Sequence, residues 1–502
     1  MNNAQLPLDD AMPGRPILAR WVICGTLRLE TAMHLGGKTS ERVDKTVLRD
    51  ARDGGPLLPG TTLAGALRNA LADRLVGYGV EEPVSVSRLF GGGRGDDDGA
   101  QSPLIVFDAI GRFPEGQGSE IRDGVAISPT TGTAEDNKKY DYEVLPAGTS
   151  FPIRLDLLVA NASQEKEQVE ALATSLDALS DGETAFGAKR SRGLGRVSAT
   201  WTARRFDLTT PAGWMAWAQA DHEFPHNTAD EDFSALDALR AAAPESLTAL
   251  TVLTDARQRV VLELHLKVEG DVLIRSPGAS PDAPDVSHLT SGGSPILSGT
   301  SLGGALRSQA LRIARLVRHR KGDGDRLIDE LFGPRFEGQR PPPGLKLFAS
   351  RLRVGEAVIK GGSSPRQTRV AIDRFTQGVI PTALFDEQVQ SGGEACVQLE
   401  LRDPRAGELG LLLLVLKDLL SGELPVGGAS AVGRGVLTGA ARLTFYDGDD
   451  TEPRSAIIRP GSSPAGDAAA EIEAAIQQFV EPSSVNHEVE VAAGVIEEGV
   501  SQ

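Results

Sequence analysis

The sequence predicts an α+β chain of two ferredoxin-like domains in tandem, each carrying an inserted β-hairpin, with a disordered acidic tail behind them. Three observations predict it. First, PLLPGTTLAGALR (Pro56 to Arg68) recurs as PILSGTSLGGALR (Pro295 to Arg307), identical at nine of thirteen positions. Second, two further markers repeat in the same order and at nearly the same offset: Leu89-Phe90-Gly91 at Leu331 to Gly333, and FGAKRSRGLGRV (Phe186 to Val197) as VGGASAVGRGVL (Val426 to Leu437). Third, each copy reads strand, helix, strand and then strand, helix, strand, the split βαβ pattern. A period near 240 residues means two whole domains, since solenoid repeats are far shorter.

Each copy opens on a strand, WVICGTLRLETAMHL in the first and RVVLELHLKVEGDVLI in the second, rich in β-branched residues and partly alternating. A polar loop leads to the Pro-x-x-x-Gly-Thr-Thr/Ser marker. There Thr61 or Thr62 is a plausible N-cap of LAGALRNALADRLV, and Ser301 begins LGGALRSQALRIARLV in the same way. Two long polar segments, VAISPTTGTAEDNKKYDYEVLPAGTSF and VAIDRFTQGVIPTALFDEQVQSGGEA, alternate like extended hairpins. FPIRLDLLVA with KEQVEALATSLDAL, and CVQLELRD with GELGLLLLVLKDLL, supply the second strand–helix units. The expected boundaries are 1–208 for the first domain, 209–257 for a connector with one or two helices, 258–446 for the second domain and 447–502 for the tail. EIEAAIQQFV is a short helix within that tail.

Of the 502 residues, 40% are apolar, enough for sizeable cores. No run approaches the roughly 20 apolar residues that span a membrane, and the first residues lack the pattern of a secretory signal. The two cysteines, Cys24 and Cys396, are few and far apart, which suits a reducing cytoplasm, and no cysteine–histidine cluster has zinc spacing. The net charge of −17 argues at first against a nucleic-acid partner. From Asp447 onward, however, 12 acidic residues stand against 2 basic ones, a net of −10, which leaves the body at −7. A locally basic groove remains compatible with that balance, and so does an acidic protein without a nucleic-acid partner.

Four motifs can carry chemistry. In the glycine loop, Gly187, Gly193 and Gly195 let backbone approach a phosphate and turn N–H groups outward, while Lys189, Arg190, Arg192 and Arg196 add charge. Its second copy, with Gly427, Gly428 and Gly433, keeps Arg434 alone as a charged group and would lean on backbone donors. Read blandly, each loop is a turn between helix and strand. At the helix starts, Thr61, Thr62, Thr300 and Ser301 sit at the positive dipole end, which favours anions, with Arg68 and Arg307 two turns inside; an ordinary helix start would look the same. In the loop before that marker, Asp44 and, in the like place, Asp285 (with Asp282 nearby) offer carboxylates. These can hold Mg²⁺ or another divalent cation beside a phosphate groove and so help a ribose 2′-OH attack the adjacent phosphate, although a lone loop aspartate is usually just solvated. The hairpins, with Arg374 in the second, are the fourth motif or else plain surface arms. GGGRGDDDG (91–99) reads as a loop tip, since its aspartates repel phosphate. His34 reads as a structural histidine before an acid–base, and Arg312, Arg315, Arg318, Arg320 and Lys321 as a groove wall or a solvated helix end.

Taken together, LRLETAMHLGG, Asp44 with VLRD, the two helix-start markers, SRLFG and ELFG, LIVFDA, the two hairpin segments and the two glycine loops resemble the RAMP superfamily. The resemblance is to the backbone subunits of type III CRISPR effector complexes, and the tandem fusion looks like the fused subunits of type III-D-like systems. It implies an RRM-like core that clamps guide crRNA by its backbone, with target RNA read by pairing to the guide. With aromatics at 5%, base-stacking readout is not expected. It also implies that the hairpins, near 125–147 and 369–390, act as thumbs that splay one nucleotide out. An aspartate in the first loop, Asp44 by motif position and Asp285 by weaker likeness, would serve metal-dependent cleavage of the target. The partners implied are crRNA, target RNA and other type III subunits, including a large polymerase-like one, with no membrane. Two rival readings stand beside this one: a purely structural guide-binding subunit, and a guide-processing nuclease that uses His34 without metal.

Overall fold

The computed structural model describes residues 16–37, 43–93, 100–128, 131–180, 182–220, 233–247, 249–277, 283–317, 323–335, 347–448 and 451–481. Asp282, Arg318, Arg320, Lys321 and most of the 91–99 tip lie outside them. The chain divides into two units, one of Met1–Ile121, Asp141–Ala188 and Gly195–Ala256, the other of Arg122–Tyr140, Lys189–Leu194 and Arg257–Gln502. The second unit thus includes a stretch of the first copy's hairpin and the tip of its glycine loop.

In chain order the first copy comprises β1 (Ala19–Leu29), α1 (Gly60–Val76), α2 (Val84–Phe90), β2 (Leu104–Val106), the hairpin strands β3 (Glu120–Ile127) and β4 (Ala134–Val144), β5 (Ser150–Val159), α3 (Ala162–Ser180) and β6 (Val197–Asp207). The sheet order is β2-β5-β1-β6, with every neighbour antiparallel, which is the ferredoxin-like arrangement. Along β1, Trp21, Ile23, Leu27 and Leu29 point into the core, the alternation that a pleated strand imposes. Gly25 breaks the series because a Cβ there would meet the Trp201 ring at 2.6 Å. In α1 the buried positions Gly60, Leu63, Leu67 and Leu71 recur every four residues or nearly so and lay one stripe on the sheet.

The second copy repeats the plan with β7 (Gln258–Glu269), α6 (Gly299–Val317), α7 (Asp323–Phe332), β8 (Leu352–Val354), hairpin strands β9 (Arg366–Ile372) and β10 (Val379–Gln388), β11 (Glu394–Arg402), α8 (Glu408–Leu420), β12 (Val436–Asp447) and β13 (Arg454–Ile458). The order is β8-β11-β7-β12-β13, the same sheet with one strand added. Between the copies lie α4 (Pro211–Gln219) and α5 (Ala235–Ala242); after them comes α9 (Ala469–Val480).

The expected short helix of the tail is present as α9, and residues 451–481 carry more structure than a mostly disordered tail implies; 482–502 lie outside the described residues. β13 pairs with β12 from Ala441 to Phe445, and α9 packs on α8 with Ile472 and Phe479 buried. The cause is α8 itself. ELGLLLLVLKDLL is apolar nearly all round, and a helix of that kind must be covered on both faces. Each of its buried leucines contributes roughly 1.5–3 kcal/mol, far more than one sheet contact face could shield. Gly410 allows the cover to come close, since a Cβ there would lie 2.0 Å from the Ala475 carbonyl oxygen. In the first copy α5 covers α3 in the same manner, through Ala235, Ala238 and Leu239.

The helix starts also differ from the expected caps. Pro59 is the N-cap of α1 and its Gly60 N–H donates to Asp108 Oδ1 at 2.7 Å, so Thr61 and Thr62 lie inside the first turn. In the second copy Ser298 precedes α6, and its hydroxyl accepts from the Ser301 N–H at 3.4 Å. Proline at the α1 cap fixes an extended backbone and leaves the capping to a carboxylate from across the fold. Both cysteines are free thiols. Among the described residues no helix is long and apolar enough to cross a membrane.

Candidate nucleic-acid interface

Asp44 and Asp285 occupy equivalent places, and the same device holds each of them. The Asp44 N–H donates to Asp141 Oδ1 at 2.7 Å, while the Asp141 N–H donates to Asp44 Oδ2 at 3.1 Å. In the second copy the Asp386 N–H donates to Asp285 Oδ2 at 2.9 Å. One residue further on, the loop runs parallel to the returning hairpin strand, Lys45 beside Tyr142 and Val286 beside Glu387. The aspartate loop is therefore stitched to the base of the hairpin in both copies. Asp44 and Asp285 are exposed; Asp44 and Asp141 each accept the other's backbone N–H, whereas among the described residues Asp285 is joined to Asp386 only through the Asp386 N–H.

The surroundings of the two pairs differ. Beside Asp44, burial works against the Glu143 carboxylate, yet hydrogen bonds from Ser119, the Val47 N–H and Arg49 hold it below the usual range. In the second copy the Thr368 hydroxyl and Arg366 hold Asp386 below the usual carboxylate range, Arg366 donating to it at 3.0 Å through Nε. Asp386 is thus already partly neutralised, whereas no ion pair of Asp141 occurs among the described residues. Two carboxylates with room for water and phosphate oxygens suit a hard cation such as Mg²⁺, which commonly takes one or two carboxylates and completes its shell with water and substrate phosphate. No group of three or more potential His, Cys, Asp or Glu ligands occurs among the described residues.

The glycine loops correct the expectation of outward backbone donors. A Cβ on Gly187 would meet the His34 carbonyl oxygen at 2.2 Å, and one on Gly195 the Phe186 oxygen at 1.9 Å. The amides of Ala188 and Gly195 donate to His34 and Ala32. In the second copy the amides of Gly428 and Gly435 donate to Leu273 and Asp271, and a Cβ on Gly427 would meet the Leu273 oxygen at 2.6 Å. These glycines serve chain crossings inside each copy. Arg434 is likewise turned inward, 3% exposed, with Nη1 donating to Glu387 at 2.7 Å and Nη2 to Gln367 at 2.7 Å. Arg196 is half-buried, and Gly433 stands open, with nothing near its missing Cβ.

What remains for a polyanion is side-chain charge at the loop tip. Lys189 takes a left-handed conformation (φ 58°) and lies over the Tyr140 ring at 4.9 Å. Arg190 is exposed. Arg192 lines a cavity with Thr300 and Arg307. Arg68, the first copy's counterpart of Arg307, is engaged: both oxygens of Glu82 take its guanidinium, at 2.7 and 2.6 Å. Arg374 sits at the exposed hairpin tip over Phe375, at 4.6 Å. Around it Ile372, Phe375, Val379 and Leu384 are exposed, an apolar wedge on a hairpin that reaches away from its own core.

His34 is structural. It is 5% exposed, its Nδ1 donates to the Glu143 carbonyl oxygen at 2.7 Å, and Tyr142 packs edge-on against it. The second copy places Leu273 there, its carbonyl accepting from Gly428 as that of His34 accepts from Ala188.

Sequence reasoning missed Asp141, Asp386 and Arg335. The first two stood in the acidic patch that ends each hairpin segment, and only strand pairing shows them to face the loop aspartates.

A family model described as the RAMP superfamily matches residues 26–198 and 265–438, more than half of the chain and one match in each copy. No match was found among curated proteins.

Proposed function

The chain belongs to the RAMP superfamily, and on that premise we propose that it is a double backbone subunit of a cytoplasmic, type III CRISPR ribonucleoprotein, III-D-like in its fusion, which binds guide crRNA and cleaves complementary target RNA. RAMP proteins are CRISPR-associated RNA-binding subunits, and some members cleave RNA; the assignment of cleavage to this chain rests on its own residues. The observation that carries it is the duplicated clasp. Two copies that have diverged at most loop positions both keep an exposed aspartate tied to a second aspartate at the hairpin base. In each copy the loop aspartate's carboxylate accepts a backbone N–H of the hairpin base, which fixes an exposed oxygen donor beside a second aspartate, an arrangement that suits a hard cation.

In this reading Asp44 with Asp141, and Asp285 with Asp386, hold a divalent cation, Mg²⁺ in the first instance. When bound, that ion polarises a phosphoryl oxygen and stabilises developing charge. The rest is positioning. The hairpin wedge, Ile372 to Leu384 in the second copy, displaces a nucleotide from the stack, which turns its 2′-OH toward the neighbouring phosphate. Orientation of that kind supplies much of a rate by itself. Lys189 and Arg190 hold the strand by charge alone, without base contacts, so sequence is left to guide pairing. The partners are crRNA, target RNA and further type III subunits, a large polymerase-like one among them.

The test is cleavage by the assembled complex carrying Asp44→Ala or Asp285→Ala. Guide binding is expected to be unchanged, and Mg²⁺-dependent cutting lost at one site for each variant. Cutting that persists at both sites would overturn the aspartate mechanism. The rival reading, a structural role without cleavage, finds its support at the second copy, where Arg366 and Thr368 hold Asp386; Asp285→Ala without effect on cutting would decide for it there.

A further inference from the structure

The second unit contains a cavity of about 560 Å³ lined by Arg192, Arg307, Arg335, Thr300, Phe332 and Phe348, among others. Three guanidinium groups meet there. Among the described residues, Arg192 Nη1 is buried without a hydrogen-bond partner, and Nη2 reaches the Phe332 carbonyl oxygen alone, at 3.5 Å. Burial, together with Arg307 and Arg335, pushes the Arg192 pKa down to about 10. Burial and then Arg335 also lower that of Arg307, even though Asp329 accepts from its Nη2 at 2.7 Å. Among the described residues Asp329 is the one carboxylate ion-paired to any of the three arginines. A guanidinium left uncompensated in a shielded site is costly, and among the described residues three guanidinium groups face the one carboxylate of Asp329 in this cavity.

The duplicate shows that this is no by-product of the repeat. In the first copy Arg68 replaces Arg307 and is neutralised by Glu82, and Gly93 replaces Arg335. In the second glycine loop Val432 replaces Arg192. Arg307 and Arg335 of the second copy thus meet Arg192 of the first copy's glycine loop, whereas the corresponding positions hold an arginine paired with Glu82, a glycine and a valine.

We propose that this cavity binds the phosphate group of a single RNA nucleotide, with its base lying against the apolar wall. Arg192, Arg307 and Arg335 present forked donors suited to tetrahedral oxygens. Thr300, in the first turn of α6, adds a hydroxyl at a helix end that favours anions. Phe348 and Leu347, 46% and 53% exposed, give a base its contact surface. The occupant is a phosphodiester of the bound strand, and this identification rests on the RNA-binding reading above. The cavity would then pin the strand at one fixed point of the chain, in the second unit only.

The experiment uses the full-length protein and a short fluorescent single-stranded RNA, followed by anisotropy between about 50 and 200 mM salt. Arg335→Gln is the informative variant, since Arg335 is exposed and its loss leaves the core intact. Arg459→Gln removes one charge from an exposed position after β13 and serves as control. Arg335→Gln should weaken binding about tenfold, as for a charge-assisted hydrogen bond. It should also reduce the slope of log K against log salt by about 0.7, one phosphate contact; Arg459→Gln should do neither. Wild-type affinity and slope in Arg335→Gln would overturn the pocket and leave RNA binding standing. A parallel arm adds inorganic phosphate or AMP and records thermal unfolding. Suppose these raise the melting temperature of the wild type but not of Arg335→Gln, and the wild type binds no RNA. A free nucleotide is then the occupant, and the strand reading is overturned. No response to RNA, phosphate or AMP overturns the site itself.

Discussion

Glu356→Ala should cost the second unit about 3–5 kcal/mol. Arg122, on β3, and Glu356 form a two-pronged pair, Nη1 to Oε2 at 2.7 Å and Nη2 to Oε1 at 3.1 Å. Each side chain is 3% exposed. At that burial, water cannot solvate whichever charge loses its partner, and the attraction lost is far larger than at a surface. Truncating Glu356 therefore strips two charge-assisted hydrogen bonds from a guanidinium that stays buried. Replacing both, Arg122→Met with Glu356→Leu, removes the penalty together with the attraction and should return stability to within about 1 kcal/mol of wild type, or above it. The assay is urea unfolding followed by a probe in the second unit, because a chain of two units need not unfold in one step. At about 2–4 °C per kcal/mol for a unit of this size, the single variant should melt roughly 6–20 °C lower. A loss below about 1 kcal/mol, or a double variant as unstable as the single one, would refute the reasoning, for the pair would then be solvated.

Three further outcomes follow from the same geometry. His288 accepts the Ile274 N–H at Nδ1 and donates from Nε2 to the Ile296 oxygen, and burial lowers its pKa. A lowered folded-state pKa means stabilisation present above about pH 6.5 and lost as the pH falls, so His288→Asn should flatten the stability difference between pH 7 and pH 5; an unchanged slope would clear His288. Gly410→Ala should destabilise by about 1–3 kcal/mol through overpacking against Ala475, measured by thermal unfolding, and a neutral result would separate α9 from α8. Asp141→Ala removes the acceptor of the Asp44 N–H and should speed hydrogen exchange at that amide about tenfold, the lower end for a bond to a charged group. Unchanged exchange would mean that the clasp does not order the loop.

Much of the fold was legible because the repeat supplied two readings of each element. PLLPGTTLAGALR and its copy fixed α1 and α6, and the alternation in each hairpin segment was visible from Val125 and Val370 onward. The helix caps were not, because Asp108 lies 48 residues from the Gly60 amide that it accepts, and local spacing carries no trace of such a partner. In the tail the helix EIEAAIQQFV was legible, but its packing and the added strand β13 were not, although the unbroken apolar face of α8 already required a second cover. In the glycine loops the sequence reads alike for two physical causes. A glycine that lets backbone meet a phosphate and one that lets backbone meet a carbonyl oxygen cannot be told apart until Phe186 or Leu273 is seen beside it. Of the charged residues, Arg434 and Arg68 found the carboxylates of Glu387 and Glu82, and Arg192 found none among the described residues. That difference, invisible in a string of arginines, moves the proposed grip on RNA from main-chain amides to side chains at Lys189, Arg190 and the three-arginine cavity.

The central claim is that this chain holds an RNA strand by its phosphates. Nucleic acid extracted from the freshly purified protein tests it most directly. The account predicts single-stranded RNA of short, discrete lengths, released as salt rises from about 50 to 200 mM. Protein that carries no RNA, and that takes up none when single-stranded RNA is offered at the lower salt, would contradict it.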